Sequence, residues 1–288
     1  MKSTTARLRE GIDALVEDLA ALVQELKVKD NRFWDSEIIY VAPDWAWDDP
    51  SKEQRARQLS LKRRYDVLSE RLTLLVSGAP DELTDQLRDA DEGIRRWIEL
   101  ESNWHLSPDA EANVRALRED AAAIGEVLGV LERVAAGESF VIPDTNSMLQ
   151  APDPTAYRGI LEGAFVFTLL PTVLGELDHL KTEHRNPEVR DKAKGVINRI
   201  KGWRHQGSLA EGVTVDKSIL VRALHAEPDM AATLTWLDAS VPDDRVIASV
   251  LALQSERPGA TVVLVTSDIN LLNKADAALI QSTEPPAS

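Results

Sequence analysis

The chain has 288 residues, 33 of them Lys or Arg and 48 Asp or Glu, for a formal charge of −15. A chain this acidic does not coat nucleic acid through its overall field, although a local basic strip is compatible with it. It contains no cysteine, which excludes disulfide frameworks, thiolate zinc sites, iron–sulfur clusters and thiol nucleophiles, and leaves carboxylates and histidines as the ligands for any metal. The five histidines, at 105, 179, 184, 205 and 225, form no tight ligand pair and are set aside as principal ligands. Charged residues interrupt the first 23 positions, and apolar runs such as Val262 to Val265 fall far short of the roughly 20 residues a membrane helix needs. The expectation is a cytoplasmic protein with no membrane partner.

In the N-terminal part, apolar residues recur in alternating steps of four and three, the period of helices packed along a seam. Leu8, Ile12, Leu15, Leu19, Leu22 and Leu26 form the first stripe, and Leu61, Tyr65, Leu68, Leu72 and Leu75 the second. Leu83, Leu87, Ala90, Ile94 and Trp97 form the third, and Val114, Leu117, Ala121, Ile124, Leu128, Leu131 and Ala135 the fourth. The breaks between them have helix-stop chemistry: Asp44 to Pro50, the turn Ser77-Gly78-Ala79-Pro80, and Ser107-Pro108-Asp109. Residues 1 to 136 therefore read as an all-α helical bundle with an interaction or regulatory role. Sustained heptads also permit a homodimer or a protein partner. Trp34, Trp45, Trp47, Trp97 and Trp104 fall in this half; they read as plugs for the open end of the bundle, or else as an aromatic surface for a partner or for bases.

From Ser139 the pattern changes to short β-rich runs separated by helical ones, as in a parallel sheet covered by helices. The predicted strands are 140–142, 164–170, 213–215, 219–221 and 261–265, and the predicted helices 172–182, 187–205 and 244–254. In open α/β sheets the site lies outside the carboxyl ends of the strands. Acidic residues stand there. The first strand runs into Asp144, the last into Asp268, the strand ending at Leu170 opens a helix carrying Glu176, and Asp243-Asp244 start another helix. Each alone reads as a cap, but four on one edge would repel unless a divalent cation sat among them. Oxygen-only ligands suit Mg²⁺ or Mn²⁺. Glu176 and Asp178 cannot share a helix face; Glu176 is assigned to the site and Asp178 to solvent. Asp244 is the better placed of its pair, with Asp243 assisting or capping.

Eight positive charges fall between 181 and 204: Lys181, Arg185, Arg190, Lys192, Lys194, Arg199, Lys201 and Arg204. They read as a solvated helix face, or, beside an acidic pocket, as a path for a polyanion. Metals on carboxylates can clamp a phosphodiester and activate water, which is nuclease chemistry. No Walker motif is present. Asn146 stands where a phosphoaspartyl phosphatase would have its second Asp, and the acidic pair comes too late in the chain for a phosphoreceiver domain.

Four segments, Val141-Ile142-Pro143-Asp144-Thr145-Asn146, Val173 to Lys181, Asp243 to Ala248 and Val265 to Leu271, resemble in order and spacing the PIN-domain family of metal-dependent ribonucleases, over about residues 139 to 280. The resemblance implies a three-layer α/β/α domain with a central parallel sheet at 139–288. It implies Mg²⁺- or Mn²⁺-dependent cleavage of single-stranded RNA, with Asp144, Glu176, Asp244 and Asp268 as metal-binding catalytic acids. Asn146 and Thr266 match positions that support such a site, and Asp243 and Asn270 are taken with them. Lys181, Arg185, Arg190, Lys194, Arg199 and Lys201 are the candidate RNA contacts. The alternatives are a PIN-like module that binds RNA or protein without cutting, assembled through the bundle, and the toxin of a toxin–antitoxin pair.

Overall fold

The computed structural model describes residues 1–31, 43–103 and 105–287. Trp34 and Trp104 lie outside the described residues. The chain divides into two units, one of Thr5–Leu131 and one from Glu132 onwards that also takes in Met1–Thr4. The change in pattern read at Ala136-Gly137 lies inside the turn of residues 132–137 that follows the last helix of the first unit.

The first unit consists of α1 (Thr4–Glu25), α2 (Lys52–Leu75), α3 (Asp81–Glu99) and α4 (Ala110–Leu131), with a small antiparallel pair β1 (Val28–Asp30) and β2 (Trp45–Trp47). The heptad stripes are its core. All six positions of the first are buried, as are all five of the second. Ser51 starts α2 with a capping box, its side chain accepting from Gln54 N–H while Gln54 returns the bond to the Ser51 backbone. Two expectations need correction. Asp44 to Pro50 is not simply a break, because Trp45–Trp47 pairs as a strand with Val28–Asp30. Ala135, the last member of the fourth stripe, lies beyond α4 in the turn, with φ +60°. Trp47 and Trp97 are both buried and meet edge to face, ring centres 6.4 Å apart, and Trp97 Nε1 donates to Asp120 at 2.7 Å.

The second unit is built on a six-stranded sheet of β3 (Ser139–Pro143), β4 (Phe165–Leu169), β5 (Val213–Asp216), β6 (Ile219–Ala223), β7 (Thr261–Val265) and β8 (Gln281–Thr283), in the order β5-β6-β4-β3-β7-β8. All neighbours are parallel except β5 with β6. The central strands are apolar without alternation because helices cover both faces: Phe140, Val141 and Ile142, and Val262 through Val265, are buried. The helices are α5 (Thr145–Gln150), α6 (Pro171–Glu183), α7 (Pro187–Arg204), α8 (Pro242–Glu256) and α9 (Ile269–Ala277). Strand β8 went unread in the sequence. The chain leaves β3 toward β4 on one side, and β7 flanks it on the other. The strand order thus reverses at β3, and a crevice opens at its carboxyl end. Asp144 is the first residue past that end.

Candidate active site

The β3–β7 register pairs Pro143 with Val265, and Asp144 N–H extends the ladder to Val265 O at 2.9 Å. This sets Asp144 beside Thr266. Asp144 is buried, 6% exposed. Its Oδ1 accepts from Ser147 N–H at 2.6 Å, capping α5, and its Oδ2 accepts from the Thr266 hydroxyl at 2.6 Å. The same Thr266 oxygen accepts Asp268 N–H at 2.9 Å, so one fully buried hydroxyl links two of the acids. Asp268 caps α9 through Oδ1, which accepts from Asn270 and Leu271 N–H. Asn270 contributes that backbone group, and its side chain is exposed.

Asp243 and Asp244 occupy the first turn of α8, where the helix dipole favours negative charge. Asp244 is 5% exposed. Its Oδ2 accepts Asp238 N–H at 2.9 Å. Its Oδ1 lies 2.6 Å from Lys274 Nζ, an ion pair without hydrogen-bond alignment. Lys274 Nζ also stands 3.7 Å from Asp243 Oδ2. Burial raises the Asp243 carboxyl above its ordinary range; Lys274 opposes the shift, and the Asp268, Asp244 and Asp144 carboxylates add to it. Asp144, Asp244 and Asp268 thus all lie within electrostatic reach of Asp243 at the crevice.

Glu176, in the second turn of α6, is bonded by the Thr145 hydroxyl. It lines a cleft of about 500 Å³ together with Thr145, Asn146, Glu227, Asp243 and Arg245. Glu227 accepts from Thr172 Oγ1 at 2.7 Å and pairs with Arg245 at 3.4 Å. His179, set aside with the other histidines, also reaches the cleft wall, where it faces Glu183 at 3.4 Å. Asp178 is exposed and pairs with Lys181. Another hollow, of about 330 Å³, lies at the opposite edge of the sheet, around Glu138, Phe165 and Asp216.

The donors fit a hard divalent ion in kind and in charge: carboxylate oxygens around an excess of negative charge met by one ammonium. They are not assembled as a cage. Among the described residues no three His, Asp or Glu side chains stand in a metal-holding group, and hydrogen bonds engage one or both oxygens of Asp144, Asp244, Asp268 and Glu176.

The basic strip is more self-contained than its composition implied. Lys181 pairs with Asp178, Lys194 with Asp191 at 3.2 Å, and Arg199 with Asp153 at 3.2 Å. Arg190 donates to the carbonyls of His184 and Arg185, holding the turn between α6 and α7. Arg185 and Lys201 remain exposed, with no ion-pair partner among the described residues. Thr145, Glu227 and Lys274 were missed. Thr145 adjoins Asp144 and was open to inference, whereas Glu227 lies in an aperiodic loop and Lys274 reads as an ordinary helix lysine.

Fold and crevice together define a doubly wound α/β domain with a carboxylate site at its topological switch point. Residues 141–285 match the model of the PIN domain, half of the chain. The chain belongs to the PIN-domain family, whose members are generally nucleases and generally use divalent metals. No curated protein matches the chain. No helix among the described residues is long and apolar enough to cross a membrane.

Proposed function

We propose that the chain is a metal-dependent endoribonuclease that hydrolyses phosphodiester bonds of single-stranded RNA. The observation that carries this reading is the convergence of Asp144, Asp243, Asp244 and Asp268 at the carboxyl end of β3, with Glu176 on the adjoining cleft wall. Asp144, Glu176, Asp244 and Asp268 would hold Mg²⁺ or Mn²⁺. When bound, the ion supplies activation of water and stabilisation of charge on the phosphate. Asp144 is the fixed centre, held from opposite sides by Ser147 and Thr266. Asp268 and Glu176 each keep one oxygen free of hydrogen bonds among the described residues, so they can accept a proton from, or orient, a water in the crevice. Asn146, exposed on the cleft floor, offers an amide to a phosphate oxygen. Arg185, Lys201 and Arg204, exposed and without an ion-pair partner among the described residues, are cations of the strip free to meet the RNA backbone. On the same reading the helical unit is the assembly module, and Leu59 and Val67, apolar and exposed on α2, are candidate contacts for a second copy or another protein.

The test is cleavage of labelled single-stranded RNA by wild-type and Asp144→Asn protein, with Mn²⁺, Mg²⁺ or EDTA and with matched DNA. Metal-dependent cutting of RNA that the variant loses is the expected result. Equal cutting by both proteins at equal metal concentration overturns the assignment. A second reading, a module that binds RNA without cutting it, draws on the engagement of both oxygens of Asp144, by Ser147 and Thr266, and of Asp244, by Asp238 and Lys274. It predicts retained RNA binding with no cleavage in either metal.

A further inference from the structure

Lys274 sits on α9, six residues past Asp268, in a helix whose last turn would favour a lysine directed at the helix's own terminal carbonyls. Its ammonium instead crosses to the first turn of α8, 2.6 Å from Asp244 Oδ1 and 3.7 Å from Asp243 Oδ2. Its side chain is 28% exposed, and the Asp244 side chain it meets is 7% exposed. The other oxygen of Asp244 is taken by the Asp238 N–H, so both oxygens of this acid are engaged without any metal. A carboxylate this buried requires a compensating charge, and Lys274 is the cation in direct contact with it. We propose that Lys274 is the built-in counter-cation of the acidic crevice, which a divalent ion must displace from Asp243 and Asp244 in order to bind there. This rests on the metal-dependent reading above.

Removing the lysine's charge should therefore tighten metal binding. Even at the dielectric constant of water, a unit charge within about 5 Å of a divalent ion changes its affinity on the order of tenfold. The experiment is Mn²⁺ binding to the full chain without RNA, by calorimetry or by the spin-resonance signal of free Mn²⁺, for wild type, Lys274→Gln and Lys274→Arg. Binding about tenfold or more tighter in the Gln variant, with Arg near wild type, is expected. Unchanged or weaker binding in a folded Gln variant overturns the proposal and leaves the nuclease reading standing. No Mn²⁺ binding by wild type or Gln variant overturns both.

Because Gln leaves the buried Asp244 uncompensated in EDTA, a second measurement uses wild type alone. Lysine acetylation is followed by mass spectrometry with and without Mn²⁺. Displacement predicts at least a doubling of labelling at Lys274 with Mn²⁺, while exposed Lys201 stays constant. Unchanged or reduced labelling at Lys274 overturns the proposal.

Discussion

Thr266→Val tests whether one hydroxyl holds the crevice together. The side chain is fully buried and its replacement nearly isosteric, so the packing change is small. The hydroxyl donates to Asp144 Oδ2 at 2.6 Å and accepts Asp268 N–H at 2.9 Å. Loss of a hydrogen bond to a buried charged group costs about 1.5–3 kcal/mol, and an amide left without its acceptor adds roughly 1 kcal/mol. The sum is about 2.5–4 kcal/mol, a large fraction of the roughly 5–15 kcal/mol that holds an ordinary domain folded. For a unit of this size each kcal/mol lowers Tm by about 2–4 °C, so a fall on the order of 5–15 °C is expected. The assay is thermal unfolding of the full chain followed by circular dichroism, in EDTA so that metal linkage does not contribute. Thr266→Ser is the control: it keeps the hydroxyl and forfeits about 0.8 kcal/mol of methyl burial. A Val variant melting no lower than the Ser variant would refute the reasoning.

Two further substitutions probe the frame of the second unit. A Cβ at Gly259 would stand 2.1 Å from Glu132 O and 2.6 Å from Val134 O, and Gly259 N–H already donates to Val134 O. Both obstacles are backbone, so Gly259→Ala should cost about 3 kcal/mol or more; a urea midpoint equal to wild type would contradict this contact. Asp153 is held below the usual carboxylate range, chiefly by the Thr155 N–H and also by Arg199, against the opposing effect of burial. A depressed acid contributes stability above its unfolded value and loses it as pH falls through the folded one. Asp153→Asn, which keeps an acceptor for Thr155 N–H but loses the charge facing Arg199, should thus be less stable than wild type at neutral pH by up to about 1 kcal/mol. The gap should close in acid, and melts at pH 7 and pH 3 would show it; a constant gap counts against the charge as its source.

What the sequence made legible follows from burial. A strand covered on both faces is built mainly of apolar residues, so the polar residues that follow it mark the sheet edge; Asp144, directly after β3, and Asp268, behind Thr266 and Ser267 after β7, stood out in this way. The heptads were equally plain because each helix of the bundle buries one stripe. Strands β2 and β8, of three residues each, are too short for a pattern to develop, and Trp45–Trp47 lay among the Pro and Asp residues of a break. Glu227 and Lys274 reach the crevice through tertiary packing, which leaves no periodic trace in the chain. The pairing of the basic strip was legible only in part. Lys181, Lys192 and Lys194 pair with acids one turn away on their own helices, whereas Arg199 meets Asp153 from another element.

At this crevice, capping and the proposed metal-binding role are not competing explanations of the same residue. Asp144 caps α5, Asp268 caps α9, and Asp243 and Asp244 occupy the first turn of α8. Each helix start supplies amide donors and a favourable dipole, which offset part of the repulsion that crowding the carboxylates creates. A fold that ends its strands at one edge and begins its helices there can therefore concentrate negative charge that would otherwise be expelled. The division is visible within single side chains: Asp268 spends Oδ1 on its cap and keeps Oδ2 free of hydrogen bonds among the described residues. Asn at such a position preserves a cap acceptor and removes the charge, whereas Ala removes both. Comparing Asp268→Asn with Asp268→Ala thus separates the two roles. If the acid serves only the helix, Asn should restore wild-type metal binding as well as stability; if it also serves an ion, Asn should restore stability alone.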